Sequence, residues 1–228
     1  MRHLFIHCGL GAPLLVLLTA CGDADPPDTN PRPDADYYPM RDGSVSVYRH
    51  SNKGGWDETV TLTALDDDGD RFSEIDSPSP DGERSESVLE VDAAGRVWRV
   101  EKQDFVDDEL DISVEYDPGF IRFDPAWLEL QTNESVRMEY QRTETAAGDT
   151  PDPTRDRAHV YTSQGFESVT VLGRSYRDCL VILRQRDYEN TQGNTEDEEK
   201  LFYFAPDVGK VLEVNLESGH TEELVEEE

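Results

Sequence analysis

From Tyr37 onward, apolar and polar residues alternate with a period of two, and no stretch sustains the period of an amphipathic helix. This alternation constrains the fold more than any other feature. Leu110, Ile112, Val114 and Tyr116 interleave with Asp111, Ser113 and Glu115. Val136, Met138 and Tyr140 stand against Arg137, Glu139 and Gln141, and Val60, Leu62 and Ala64 against Thr59, Thr61 and Thr63. Each pattern describes a strand with one buried and one wet face, as in antiparallel sheets. Cys179 to Leu183 is apolar on both faces and predicts a strand covered on both sides.

Turn residues divide these runs. Asp68-Gly69 separates strand-like segments 58–65 and 71–75, and Ala93-Ala94-Gly95 separates 85–92 from 96–103. Asp117-Pro118-Gly119 is expected to break the chain after Tyr116, and polar loops are expected at 148–153 and 190–199. Trp127 is placed in one short helical turn. The spacing predicts roughly a dozen strands in a meander. The expected class is all-β: a single curved antiparallel sheet, a half-barrel or open barrel, with little helix.

The first residues read differently. Arg2 and His3 precede an apolar run from Leu4 to Leu18, too short and too interrupted for a spanning helix. The run ends Leu18-Thr19-Ala20-Cys21, which resembles the lipobox of bacterial lipoproteins. The resemblance implies a signal peptide over 1–20, cleavage before Cys21, and a diacylglyceryl group on the Cys21 sulfur. It also implies a membrane partner, since two or more acyl chains anchor stably where one does not. Residues 22–36 hold four prolines and five aspartates, so 21–36 is expected to be an extended tether of up to ~45 Å. The β-rich domain then occupies 37–228. Gly22 stands where some bacteria carry the Asp that retains lipoproteins in the inner membrane, but Asp23 follows directly, so the outer membrane is only slightly favoured over the inner.

Charge and residue inventory narrow the function. With 51 acidic against 21 basic side chains, net charge −30, the chain is unsuited to nucleic acid, whose phosphates need clustered Lys and Arg. Arg outnumbers Lys heavily and Asp is abundant, a balance that resembles proteins of saline surroundings, where salt screens self-repulsion. Cys8 leaves with the signal and Cys21 carries lipid, so Cys179 is a lone thiol, read as a small buried hydrophobe. Nucleotide-loop, nucleophile-elbow and zinc-protease motifs are absent. His50, His159 and His220 are too widely spaced to suggest a metal site. Asp66-Asp67-Asp68-Gly69-Asp70 lacks the acids of an EF-hand at Ala64 and Ile75, and reads as a solvated hairpin tip, with weak divalent binding as the alternative. No catalytic residue, cofactor or metal ligand is therefore assigned, and no enzyme is expected. Trp98, Tyr116, Phe120, Phe123, Trp127, Tyr140, Tyr161, Phe202 and Phe204 either fill a core, the preferred reading, or line an acyl-chain cavity.

Three further stretches carry a resemblance. They are Tyr37 to Gly43 followed by Tyr48, Gly173 to Ile182, and Tyr203 to Val211. They are similar to segments of uncharacterised Gram-negative lipoproteins of the TapB-like kind, distantly akin to LolA-type curved-sheet carriers. Ser46, where that family tends to have Trp, and the inserted Asp207 depart from the pattern. The resemblance implies an envelope lipoprotein acting as a non-enzymatic binding or scaffolding module. The alternative is a carrier of an apolar ligand or acyl chain on the concave face of its sheet. An envelope protein is the other partner it allows.

Overall fold

The computed structural model describes residues 31–52, 54–186 and 198–227. The expected signal peptide, the expected lipobox (Leu18, Thr19, Ala20, Cys21), most of the expected tether and most of the expected 190–199 loop lie outside the described residues.

Among the described residues, twelve strands follow one another, each antiparallel to the next. They are β1 (Val45–His50), β2 (Trp56–Ala64), β3 (Arg71–Asp76), β4 (Glu83–Val91), β5 (Val97–Val106) and β6 (Glu109–Phe123). After a single 3₁₀ turn, Pro125–Glu129, come β7 (Ser135–Ala146), β8 (Arg155–Val171), β9 (Arg174–Arg186), β10 (Glu199–Ala205), β11 (Gly209–Asn215) and β12 (Thr221–Glu227). The all-β expectation holds, but that of a half-barrel or open barrel does not. β1 pairs with β2 on one side and with β12 on the other, Tyr48 opposite Leu224 and His50 opposite Glu222, so the barrel is closed. Closure gives every described strand a paired neighbour on each side over at least part of its length, and free edges are what a flat or half-open sheet must otherwise protect. It also removes the open concave face that a curved-sheet carrier would use.

The predicted hairpins at Asp68-Gly69 and Ala93 to Gly95 join β2 to β3 and β4 to β5. Asp117-Pro118-Gly119 does not end its strand; β6 runs through it with a cis Asp117–Pro118 bond. The pairing with β5 shifts there, Arg99 facing Phe120 while Glu101 faces Glu115. Gly119 is buried at φ +148°, where a Cβ would stand 3.0 Å from the Cβ of Trp98. The register shift therefore needs glycine.

One end of the barrel is packed. Trp127, held by a turn whose cap is the Asp124 carboxylate accepting from the Ala126 N–H, is 1% exposed. It stacks on Tyr161 at 4.8 Å and meets Phe123 edge-on, with Phe72, Leu89, Val97, Leu180, Ile182 and Phe204 in the same cluster. The segment before β1 plugs this end. Tyr37 is buried, its hydroxyl donating to the Asp178 carbonyl, and Tyr38 stacks on Phe123. The last tether residues dock too: Arg32 pairs with Asp207, whose carboxylate accepts the Asp36 N–H. The three stretches of the lipoprotein resemblance thus meet at one end of the barrel. Asp207, their odd insertion, sits at φ +64° and ties the plug to the turn between β10 and β11.

β9 is covered on both faces, as its apolar run predicts. Leu180 and Ile182 belong to the main core, while Cys179 joins Val171, Tyr176, Ala205, Val211 and Leu224 in a second cluster. Cys179 is fully buried.

Candidate functional site

Toward the other end the interior changes character. Along β3 the sequence of inward positions runs Phe72, Glu74, Asp76; along β9 it runs Leu180, Ile182, Arg184, Arg186. β10, read in reverse, gives Phe204, Phe202, Lys200. Each strand keeps its period of two but passes from apolar to charged, and the barrel there encloses a cavity of about 540 Å³. Among the described residues, eight Lys and Arg and seven carboxylates line it. The described lining thus departs from the balance of the chain: in a strongly acidic protein, its cations slightly outnumber its acids.

Most of these charges are paired. Glu74 lies 2.9 Å from Arg99 and 3.4 Å from Arg122. Glu213 receives Lys200 at 2.6 Å and Lys210 at 3.2 Å, and Lys210 also reaches Glu222 at 2.7 Å. Burial works against the charges of Lys210 and Glu213, but their neighbours outweigh it. Lys210 stays well above its ordinary value through Glu222 and Glu213, and Glu213 stays well below its own through Lys210 and Lys200. Such a network holds only while every member is satisfied. Asp76 is the exception. Burial, then the charges of Glu74 and Glu58, push its carboxyl up to about 7.

Arg184 differs from the rest. Among the described residues no carboxylate lies within ion-pair distance of it; its guanidinium rests instead over Phe120 at 5.3 Å and Phe202 at 4.9 Å. Tyr116, Tyr140 and His159 extend this aromatic wall, Tyr140 and His159 stacked within 4° of parallel. Burial, then Arg184 and Arg186, push His159 down to about 3, so it stays neutral. Trp127 closes the floor, and its indole N–H has no partner among the described residues.

No protein family and no curated protein matches the chain. Among solved structures, an exported protein with a YmcC-like fold from Bacteroides fragilis resembles it at 12% identity, covering 85% of this chain and 99% of that one, with a TM-score of 0.47. At this level nothing transfers from one protein to the other.

The residues singled out in the sequence separate. Phe123, Trp127, Tyr161 and Phe204 fill the core, Tyr116, Phe120, Tyr140 and Phe202 face the cavity, and Trp98 bonds Asp92 away from it. The Asp66 to Asp70 run is an exposed hairpin tip whose Asp66 carboxylate accepts the Gly69 and Asp70 N–H groups. Burial pushes the Cys179 thiol up to about 12. His50 and His220, distant in sequence, come into contact at the cavity rim beside Glu222, while His159 lies apart among the aromatic rings. The cavity cations went unseen in the sequence because a charged residue in an alternating strand reads as the wet face. The signal was phase: Arg184 and Arg186 keep step with Leu180 and Ile182.

Proposed function

We propose that this chain is a lipid-anchored protein of the bacterial cell envelope whose barrel binds, without transforming it, a small ligand joining a flat apolar body to an anionic group. The observation that carries the reading is Arg184, a cavity guanidinium with aromatic rings beneath it and no carboxylate against it among the described residues. An unpaired guanidinium beside stacked rings suits a carboxylate, sulfonate or phosphate attached to a ring system. The cavity volume is that of ordinary small-molecule sites, and the partnerless Trp127 N–H offers a further donor. An acyl chain is less well served, because the apolar end of the barrel is filled by Trp127, Phe123 and Tyr38. The anchor reading rests on Leu18-Thr19-Ala20-Cys21 and the TapB-like segments, with the outer membrane favoured by Gly22.

Two fluorescent probes test the ligand class. Anilinonaphthalene sulfonate is expected to bind at least about tenfold more tightly than the uncharged phenylnaphthylamine, the worth of one charge-assisted contact. Arg184→Met should bring the two affinities together. Equal affinities in the unsubstituted protein would overturn the anionic ligand and favour the apolar one. For the anchor, Cys21→Ser should move the protein from the membrane to the soluble fraction; persistence with membranes would refute it.

A further inference from the structure

β1 and β12 close the barrel, and their closure joins the two histidines at the rim. His50 ends β1 and pairs across the seam with Glu222; His220 immediately precedes β12. The Nδ1 of His50 lies 3.2 Å from the Nε2 of His220. The Oε1 of Glu222 lies 3.9 Å from that Nε2, and one ligand atom from each of the three residues lies within 4.8 Å of the others. Two imidazole nitrogens bound to one tetrahedral zinc at its usual bond lengths stand about 3.3 Å apart. The pair is already at that spacing.

The surroundings orient these atoms. The Nε2 of His50 is 3.2 Å from the Glu58 carboxylate, so its proton goes there and the Nδ1 lone pair faces His220. This carboxylate–histidine arrangement is the one that supports metal-bound imidazoles. His50 is 6% exposed and stacks on Trp56 at 4.3 Å, which fixes its ring. His220 has no partner for Nδ1 among the described residues, so nothing else dictates its tautomer. Glu222 gives its other oxygen to Lys210 at 2.7 Å and leaves Oε1 toward the histidines.

We infer that His50, His220 and Glu222 form a binding site for one divalent transition-metal ion of the zinc type, with Glu58 as the positioning residue behind His50. Two imidazoles and one carboxylate leave a fourth tetrahedral position open. His50 and Glu222 both line the cavity, so that position faces its interior. The inference does not rest on the proposed ligand, although a bound cation would add a second positive handle for it.

The acidic surface will hold divalent ions loosely, so the test must separate the two. Chelator-stripped protein is titrated with zinc chloride in excess magnesium, because imidazole ligands favour zinc where carboxylates alone do not. One tightly bound equivalent is expected. His220→Gln should weaken it at least about tenfold, and Glu58→Gln by about 10–100-fold, the usual cost of losing the group behind a ligating imidazole. Unchanged binding in His220→Gln, or none in excess magnesium, would leave only a Glu58–His50–His220 hydrogen-bond chain and overturn the site. Should His220→Gln fail to fold, cobalt added to the unsubstituted protein decides. Strong visible bands of a tetrahedral ion at one equivalent support the site, and their absence refutes it.

Discussion

Asp76 keeps a proton at pH values where solvated aspartates have lost it. Its carboxyl is pushed up to about 7, by burial first and then by Glu74 and Glu58, against the pull of the Ser85 hydroxyl and Arg122. The folded state thus holds this proton more tightly than the unfolded chain, whose aspartates titrate near pH ~4. The associated stability is full below that pH and is lost as the pH rises through about 7. Asp76→Asn keeps the neutral form, so its Tm should gain on the unsubstituted protein between about pH 5 and about pH 8, by roughly 2–4 °C per kcal/mol. A constant difference across that range would refute the assignment. His159 acts in the opposite direction. Pushed down to about 3 by burial and then by Arg184 and Arg186, it costs stability as the pH falls below its unfolded value of ~6.5. His159→Phe, which keeps a ring against Tyr140, should lose less Tm than the unsubstituted protein between about pH 7 and about pH 5. An equal loss would remove His159 as the source.

At the scale of elements, the link between β6 and β7 holds the packed end together through one side chain. Trp127→Ala removes a ring stacked on Tyr161 and leaves a hole beside Phe123, at a cost of about 3–5 kcal/mol in denaturant unfolding. Asp124→Ala, which loses only the cap on the Ala126 N–H, should cost about 1 kcal/mol. Comparable losses in the two variants would mean that the cap, not the ring, supports this end. Local elements such as these were legible in the sequence. The hairpins at Asp68-Gly69 and at Gly95 are built from neighbours, and so is the Trp127 turn. The continuation of β6 past Pro118 was not legible. It depends on Gly119 passing beside Trp98, twenty-one positions earlier and on another strand. The cavity was half legible, since the phase of β9 runs from Leu180 to Arg186. Whether that phase points to water or to a lumen depends on what the far side of the barrel supplies.

At the scale of the molecule, the partition of charge is the governing feature. Among the described residues the cavity takes eight cations against seven carboxylates while the chain as a whole is at −30, so the excess of described acid lies on the exterior. Added salt screens exposed charges much more than buried pairs. Tm should therefore rise markedly from low to molar salt, and a flat response would count against self-repulsion as a destabilising force. Period-two alternation, turn residues and composition were enough, by themselves, to determine the all-β class, the strand count and the burial of Cys179, because each depends on residues near one another in the chain. Closure of the barrel, the pairing of His50 with His220, and the cavity around Arg184 were decided only by the tertiary structure. Each needs strands distant in sequence to be brought opposite one another, in a register that twist and packing select across the whole sheet.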